Sequence, residues 1–202
     1  MIKHNFKIAW RSICNAKSYT LINIVGLSAG LASFIIVLLY LNYELSYDTW
    51  SPELEKVYRV GMNTNGEIQN NTPAPLASFF VEKYPKIEAA TSMQGAGEYE
   101  VIISTDEKQI YHNGFASADS LFLQVFPYHL IQGDRNTALN VPNSVIISQE
   151  LAEKLFGNTN PMGQTVKVFN IMEGVVTGVM ELPETPSHRP VHLIMRDPYE
   201  KQ

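Results

Sequence analysis

Between Lys17 and Glu44 the chain runs for 26 residues without a charge: SYTLINIVGLSAGLASFIIVLLYLNY, Ser18–Tyr43. As a helix this stretch is about 39 Å long at 1.5 Å per residue, against a hydrocarbon core of roughly 30 Å. It is long enough to cross a bilayer with some tilt, and its charged borders mark where it would leave the apolar phase. A buried helix of a soluble core is the alternative, but the 26-residue uncharged length and the clean charged borders favour the membrane. A cleaved signal peptide is the closer rival. Its apolar region would span only about 7–15 residues, with small residues following it. Here Ser28, Ala29, Gly30, Ala32 and Ser33 lie in the middle of the run. An uncleaved anchor fits better.

Charge is divided sharply by this stretch. Residues 1–17 carry Lys3, Lys7, Arg11 and Lys17 and no acid, a net +4. All 20 acidic residues and the other 11 basic ones lie from Glu44 onward, which leaves −9 there. Positive charge beside a membrane helix is retained in the cytoplasm, so the expected topology is N-terminus inside and residues 44–202 outside. An acidic outer part lacks the basic footprint of a nucleic-acid binder. The single cysteine, Cys14, falls on the inner side. The outer part must therefore rest on a packed core instead of disulfides.

Ahead of the span, Ile2, Phe6, Ala9, Trp10 and Ile13 recur at helical spacing, with Lys3, Lys7 and Arg11 on another face. This predicts an amphipathic helix in the inner interface, anchored by Trp10, Lys3, Lys7 and Arg11; a disordered basic tail is the alternative. Inside the span, Gly26 and Gly30, extended by Ala29 and Ser33, form a small-residue stripe on which a second helix can pack closely.

Beyond the span, Ser51-Pro52-Glu53 reads as the start of a short helix, and Val57–Val60 as a strand. Residues 63–71 are expected to be a polar turn region. Thr72 is positioned to cap a helix whose Leu76, Phe79, Phe80 and Tyr84 share one face and are expected in the core. Strands are predicted over 88–94, 99–104 and 109–113, the last two joined by a Thr105–Lys108 turn. Asp119 can cap a short helix carrying Leu121, Phe122, Val125 and Phe126, and Gly133-Asp134 marks a turn. The apolar run Val145-Ile146-Ile147 predicts a strand buried on both faces. Ser148 caps a helix with Leu151, Ala152 and Leu155 inward and Gly157 at its end. Strands over 165–169 and 175–180 follow. From Glu181 on, Pro183, Pro186, Pro190 and Pro198 are expected to break regular structure.

No constellation for catalysis emerges. There is no Walker A sequence, no G-x-S-x-G and no H-E-x-x-H. Gly95-Ala96-Gly97 lacks the context of a dinucleotide site. His188 and His192 are four apart, but Pro190 between them removes the helix on which they would converge on a metal. His112 and His129 stand alone in sequence, and Glu98 and Glu100 read as a solvated strand face. The expectation is no enzyme, no metal and no cofactor.

The order of these segments is similar to that of a known family. "FKIAWRSICNAKSYTLINIVGLSAGLASFIIVLLYLNYELSYDTW" followed by "EKVYRV" resembles the start of an ABC-transporter permease of the MacB/FtsX-like family. "PAPLASFFVEKYP", "ADSLFLQVFPYHLIQGD", "NSVIISQELAEKLFG", "NPMGQTVKV" and "GVVTGVMELPETPSH" continue the likeness in order to residue 188. The resemblance implies residues 1–17 as a cytoplasmic or interfacial segment, 18–43 as a transmembrane helix and 44–202 as a MacB-like periplasmic core domain. It further implies an α+β fold of two subdomains, with mixed sheets and flanking helices, in the bacterial inner membrane. Implied partners are a separate cytoplasmic ABC ATPase subunit, a second permease copy, and a periplasmic adaptor or substrate protein. The implied work is transmission of ATPase motion to peptides, lipoproteins or toxic compounds outside the membrane. Such permeases continue into further membrane helices, and this sequence stops at Gln202 after a divergent "RPVHLIMRDPYEKQ". The expectation is accordingly a fragment, a truncated product or a stand-alone protein. The alternative function is a membrane-anchored binding or scaffold module without transport.

Overall fold

The computed structural model describes residues 2–197 other than 74, 96 and 98. Ala96, Glu98 and Pro198, and the side chains of Ile2, Ala9, Ile13 and Cys14, lie outside the described set. The chain divides into two compact units, Met1–Ser46 and Tyr47–Gln202.

The first unit is two helices: α1, Ile2–Asn15, and α2, Lys17–Glu44, with a break at Ala16. No residue of α2 is buried. Its last carbonyls are satisfied locally, as helix ends require. Leu45 N–H donates to Leu41 O at 2.9 Å, and both the N–H and the hydroxyl of Ser46 donate to Tyr43 O.

The second unit begins with a 3-10 turn, Pro52–Lys56, whose Ser51 hydroxyl accepts from Glu53 N–H at 3.3 Å. Next comes a hairpin of β1, Met62–Thr64, and β2, Glu67–Gln69, then α3, Leu76–Lys83. The remaining elements are β3 (Met93–Gly95), β4 (Val101–Ser104), β5 (Gln109–His112), β6 (Phe115–Ala118), α4 (Phe122–Val125), β7 (Leu130–Gln132), β8 (Ser144–Ser148), α5 (Gln149–Phe156), β9 (Thr165–Val168), β10 (Met172–Met180) and β11 (Leu193–Arg196). Nine of these strands form one mixed sheet in the order β3-β6-β11-β8-β10-β9-β4-β5, with β7 pairing the far end of β10.

Two side-chain clusters cover the two faces of this sheet. Val145 and Ile147 of β8 point into one, with Leu151, Ala152 and Leu155 of α5; Ile146 points into the other, with Phe122 and Leu123 of α4. That is why the Val145–Ile147 run is apolar throughout: both faces of the strand are dry. α5 is set by its sequence as expected. Ser148 Oγ accepts from Leu151 N–H at 3.2 Å, and Gly157 ends the helix at φ +60. In β10 a register shift between Val176 and Gly178 reverses the alternation. Val176 and Val179, three apart, therefore share a cluster, as a bulge requires.

Several expectations need correction. Residues 57–60 form no strand, and Tyr58 is 84% exposed. The 63–71 region is a hairpin turning on Asn65 and Gly66, both at positive φ. Asn-Gly is the residue pair that such tight turns favour. Thr72 does not cap α3, which starts after Pro75 with no side-chain cap. α3 buries no residue; Phe79 is 46% exposed. The strands expected at 88–94 and 99–104 shrink to 93–95 and 101–104. The proline-rich end holds β11, all four residues of which are buried, between β6 and β8. Prolines at 183, 186 and 190 all precede this strand.

Candidate functional site: apolar helix, Asp48 clasp and histidine cluster

In the first unit the positions singled out as anchors and packing residues are all available. Lys3, Lys7 and Arg11 are exposed, and Trp10 is 61% exposed. A Cβ built on Gly26 or Gly30 meets nothing within 4 Å, so both glycines present open backbone. Ser33 Oγ donates to Ala29 O at 2.9 Å. Its hydroxyl is thus used within the helix, and Ser33 offers an approaching helix its small size only.

The second unit opens with a clasp that the sequence did not reveal. Asp48 N–H donates to Pro186 O at 2.9 Å. The Asp48 carboxylate accepts from Ser187 Oγ at 2.5 Å and lies 2.8 Å from His188 Nδ1. The Tyr47 ring sits 4.6 Å from the His188 ring, and Trp50 lies 4.9 Å from Tyr128. The start of the domain is thereby tied to a segment about 140 residues later. Burial by itself raises the Asp48 pKa, but the Ser187 hydroxyl and the His188 imidazole outweigh it and hold the carboxyl below its usual range. Tyr128, buried beneath Trp50, is pushed up to about 12 by that burial and by the Asp48 charge.

His188 and His192, four apart in sequence, serve different neighbours. His188 belongs to the clasp, while His192 lies 4.6 Å ring to ring from His112. Around that pair stand Ser148, Glu150 and Lys154. Ser148 Oγ and Glu150 Oε2 both approach His192 Nδ1, at 3.4 and 4.0 Å. A nucleophile–base–acid relay needs the two groups on opposite ring nitrogens, so this arrangement is not a hydrolytic triad. Ser148 is in any case buried and engaged as a helix cap. Among the described residues, no group of three or more His, Cys, Asp or Glu is placed to hold a metal ion. Exposed His129 pairs with Glu181 at 3.3 Å.

A third feature is an unburied apolar stretch. Tyr58, Val60, Met62, Ile68, Phe79 and Tyr84 are all exposed. Lys83 Nζ lies 5.2 Å from the Phe79 ring centroid, covering part of it as a cation over an aromatic face does.

The family model of the MacB-like periplasmic core domain matches residues 20–195. The chain belongs to that family. The matched interval begins inside α2 and ends in β11, so it takes in most of the apolar helix as well as the sheet. A solved domain of a putative permease protein from Porphyromonas gingivalis shares the fold at TM-score 0.52 and 24% identity, covering 63% of this chain and 58% of that one. The periplasmic region of MacB from Actinobacillus actinomycetemcomitans aligns at TM-score 0.48 and 15% identity, covering 73% of this chain and 61% of that one. The extracellular domain of the noncanonic ABC-type transporter YknZ from Gram-positive bacteria aligns at 0.46 and 18%, covering 67% and 70%. The chain thus spans about three fifths of the first two solved domains. No curated protein matches. The chain is a mixed α+β, MacB-like periplasmic domain of the ABC-transporter permease family, joined to one helix long and apolar enough to cross a membrane.

Proposed function

We propose that the chain works as the membrane-anchored N-terminal portion of an ABC-transporter permease. In this reading α2 spans the inner membrane, residues 44–202 lie in the periplasm, and a separate cytoplasmic subunit hydrolyses ATP. The outer domain passes the resulting motion to substrates or partners already outside the membrane, with peptides, lipoproteins and toxic compounds as the candidate cargo. The observation that carries the reading is the extent of the family match, which starts at residue 20 within an uncharged helix and runs unbroken into the sheet. The +4 charge of residues 1–17 supports the inward N-terminus. The clasp at Asp48 supports the transmitting role, because it joins the first residues of the domain to the segment that leads into central strand β11.

Topology is testable with the chain's own chemistry. Cys14 is its only cysteine, and Tyr99 is largely exposed. In intact spheroplasts a membrane-impermeant maleimide should label Tyr99→Cys and spare Cys14. Labelling of Cys14 before lysis would reverse the topology. Mutations that abolish ATP hydrolysis in a co-expressed cognate ATPase should abolish any export that depends on this domain; export that survives them would overturn the division of labour proposed here.

The exposed apolar stretch over residues 58–84 supports a second reading, an anchored scaffold that acts by protein contact. Envelope cross-linking from photoreactive residues at 58 and 79 separates the two. A defined protein adduct that persists without any ATPase favours the scaffold.

A further inference from the structure

The histidine cluster has a construction that neither helix capping nor core packing requires. His112, at the end of edge strand β5, is 7% exposed. Its Nδ1 lies 2.8 Å from Asn113 O, which makes Nδ1 the protonated nitrogen, because a carbonyl only accepts. Lys154 Nζ stands 3.5 Å from Nε2 on the other side of the ring. His192 precedes β11, with its side chain 15% exposed. Ser148 Oγ already accepts from Leu151 N–H, so its own hydrogen is free to point at His192 Nδ1. The His192 ring is thus held by a contact from its Nδ1 to the Ser148 hydroxyl. Its Cδ2 packs so closely on Gly114 that a Cβ there would lie 2.7 Å away.

Three chain segments meet at this point. β5 brings His112, α5 brings Glu150 and Lys154, and the lead into β11 brings His192. Backbone bonds knit them together: Ser148 N–H to His192 O at 2.7 Å and His192 N–H to Gly114 O at 2.8 Å. Lys108, from the β4–β5 turn, donates to the Lys154 carbonyl. The charged and titratable groups facing His192 are His112, Glu150 and Lys154.

We propose that this cluster is an acid-opened latch: proton uptake at His192 places a second cation against Lys154 and frees edge strand β5 and the start of α5 from the segment leading to β11. The geometry opposes the proton in two ways. The ring is largely enclosed, its side chain 15% exposed, and an ammonium lies across the paired imidazole. Among the described residues Glu150 is the counter-charge that faces it, but it is spoken for by Lys154, with Nζ–Oε1 at 2.5 Å. Consistent with this, burial first, then His112 and Lys154, hold the His192 pKa below its ordinary value, with Glu150 opposing. A histidine depressed in the folded state is protonated more readily once released. The latch is therefore fully closed above about pH 6.5, the usual imidazole value, and weakens as pH falls through that value. Glu150, lowered chiefly by its Lys154 hydrogen bond, titrates in a more acidic window and does not confuse the readout.

That the latch meets the pH of the surroundings rests on the periplasmic topology proposed above, but its operation does not. The test uses the full chain in lipid nanodiscs, so topology and latch can fail separately. Hydrogen exchange, corrected for the intrinsic pH dependence, is read over residues 109–114, 148–155 and 190–194 at pH 7.5 and 5.5. Exchange there should rise by ~3-fold or more at pH 5.5, while β10 stays protected. His192→Asn keeps an acceptor near the Nδ1 position and cannot be protonated, so its exchange should be flat with pH. Lys154→Met removes the opposing ammonium and leaves Glu150 free to pair with a charged His192; its acid response should shrink while protection at pH 7.5 is kept. Equal wild-type protection at both pH values overturns the latch. So does an undiminished acid response in His192→Asn or, should that variant fail to fold, in Lys154→Met.

Discussion

Residues 47–92 and residues 101–196 belong to the same compact unit, yet they are held together differently. Among the described residues, none before Val101 is buried. From Val101 on, two apolar clusters fill both faces of the nine-stranded sheet. The earlier region is rich in aromatics but poorer in aliphatic residues; its Tyr58, Ile68, Phe79 and Tyr84 are exposed, and Phe80 has ring contacts to Phe79 and Tyr84. The 101–196 region is stabilised by removing apolar surface from water, at about 25 cal/mol per Å². The 47–92 region is held by directed contacts instead: the Asp48 clasp, the Trp50–Tyr128 contact, and the Asp119 carboxylate, which accepts from Thr91 Oγ1 and Ser92 N–H at 2.6 Å each. A region built this way can shift without emptying a core.

Substitutions can break this comparison, and the largest expected effect comes from the core. Phe122→Ala empties a fully buried site stacked on Phe126 and Tyr128 and should cost about 3–5 kcal/mol in urea unfolding. Phe79→Ser, on the exposed face of α3, should stay within about 0.5 kcal/mol. A cost above about 2 kcal/mol for Phe79→Ser would mean that the face is covered in solution.

Glycines give a second contrast. A Cβ on Gly174 would meet Val145 Cγ2 and Asn143 O well inside contact distance, so Gly174→Ala should cost about 1–3 kcal/mol as an overpacked site. Gly66, in the β1–β2 turn, has open space around it and only its φ of +91 to strain a side chain. Gly66→Ala should cost about 1 kcal/mol, read as a smaller shift of the same unfolding midpoint. Next in size is Ser148→Ala, which removes the α5 cap and should cost about 1 kcal/mol.

The smallest effect tests the clasp. The Asp48 carboxyl is depressed in the folded state, so its contribution is present above the usual carboxylate range and is lost as pH falls through the lowered value. Asp48→Asn should flatten the stability-versus-pH curve below about pH 4 and leave the His192-dependent loss below the usual imidazole value unchanged. A curve of unaltered slope would show that the clasp does not persist in solution.

Much of the 101–180 stretch was legible because its signals are local. Ser148 and Gly157 bracket α5, the Thr105–Lys108 turn pairs β4 with β5, and the unbroken Val145–Ile147 run requires a strand dry on both faces. The Asn65-Gly66 hairpin was equally local and went unread, because the strands beside it are short and polar. β11 was hidden for another reason: three apolar residues and Arg196, coming just after a run of prolines, carry no period, and only pairing with β6 and β8 makes them a strand. The α3 aromatics show the reverse failure. Helical spacing placed them on one face, but spacing cannot state whether anything lies against that face.

By itself, then, the sequence determined an uncharged segment of membrane length, the sign of charge on either side of it, and the helices and turns that close within a few residues. Those follow from transfer free energy and short-range backbone geometry, which composition and spacing express directly. Tertiary structure alone decided that Asp48 clasps His188, that His192 turns to His112 and Lys154, and that the apolar surface of residues 58–84 stays in solvent. Each of these depends on which distant segments the sheet order brings together, and no local pattern encodes that order.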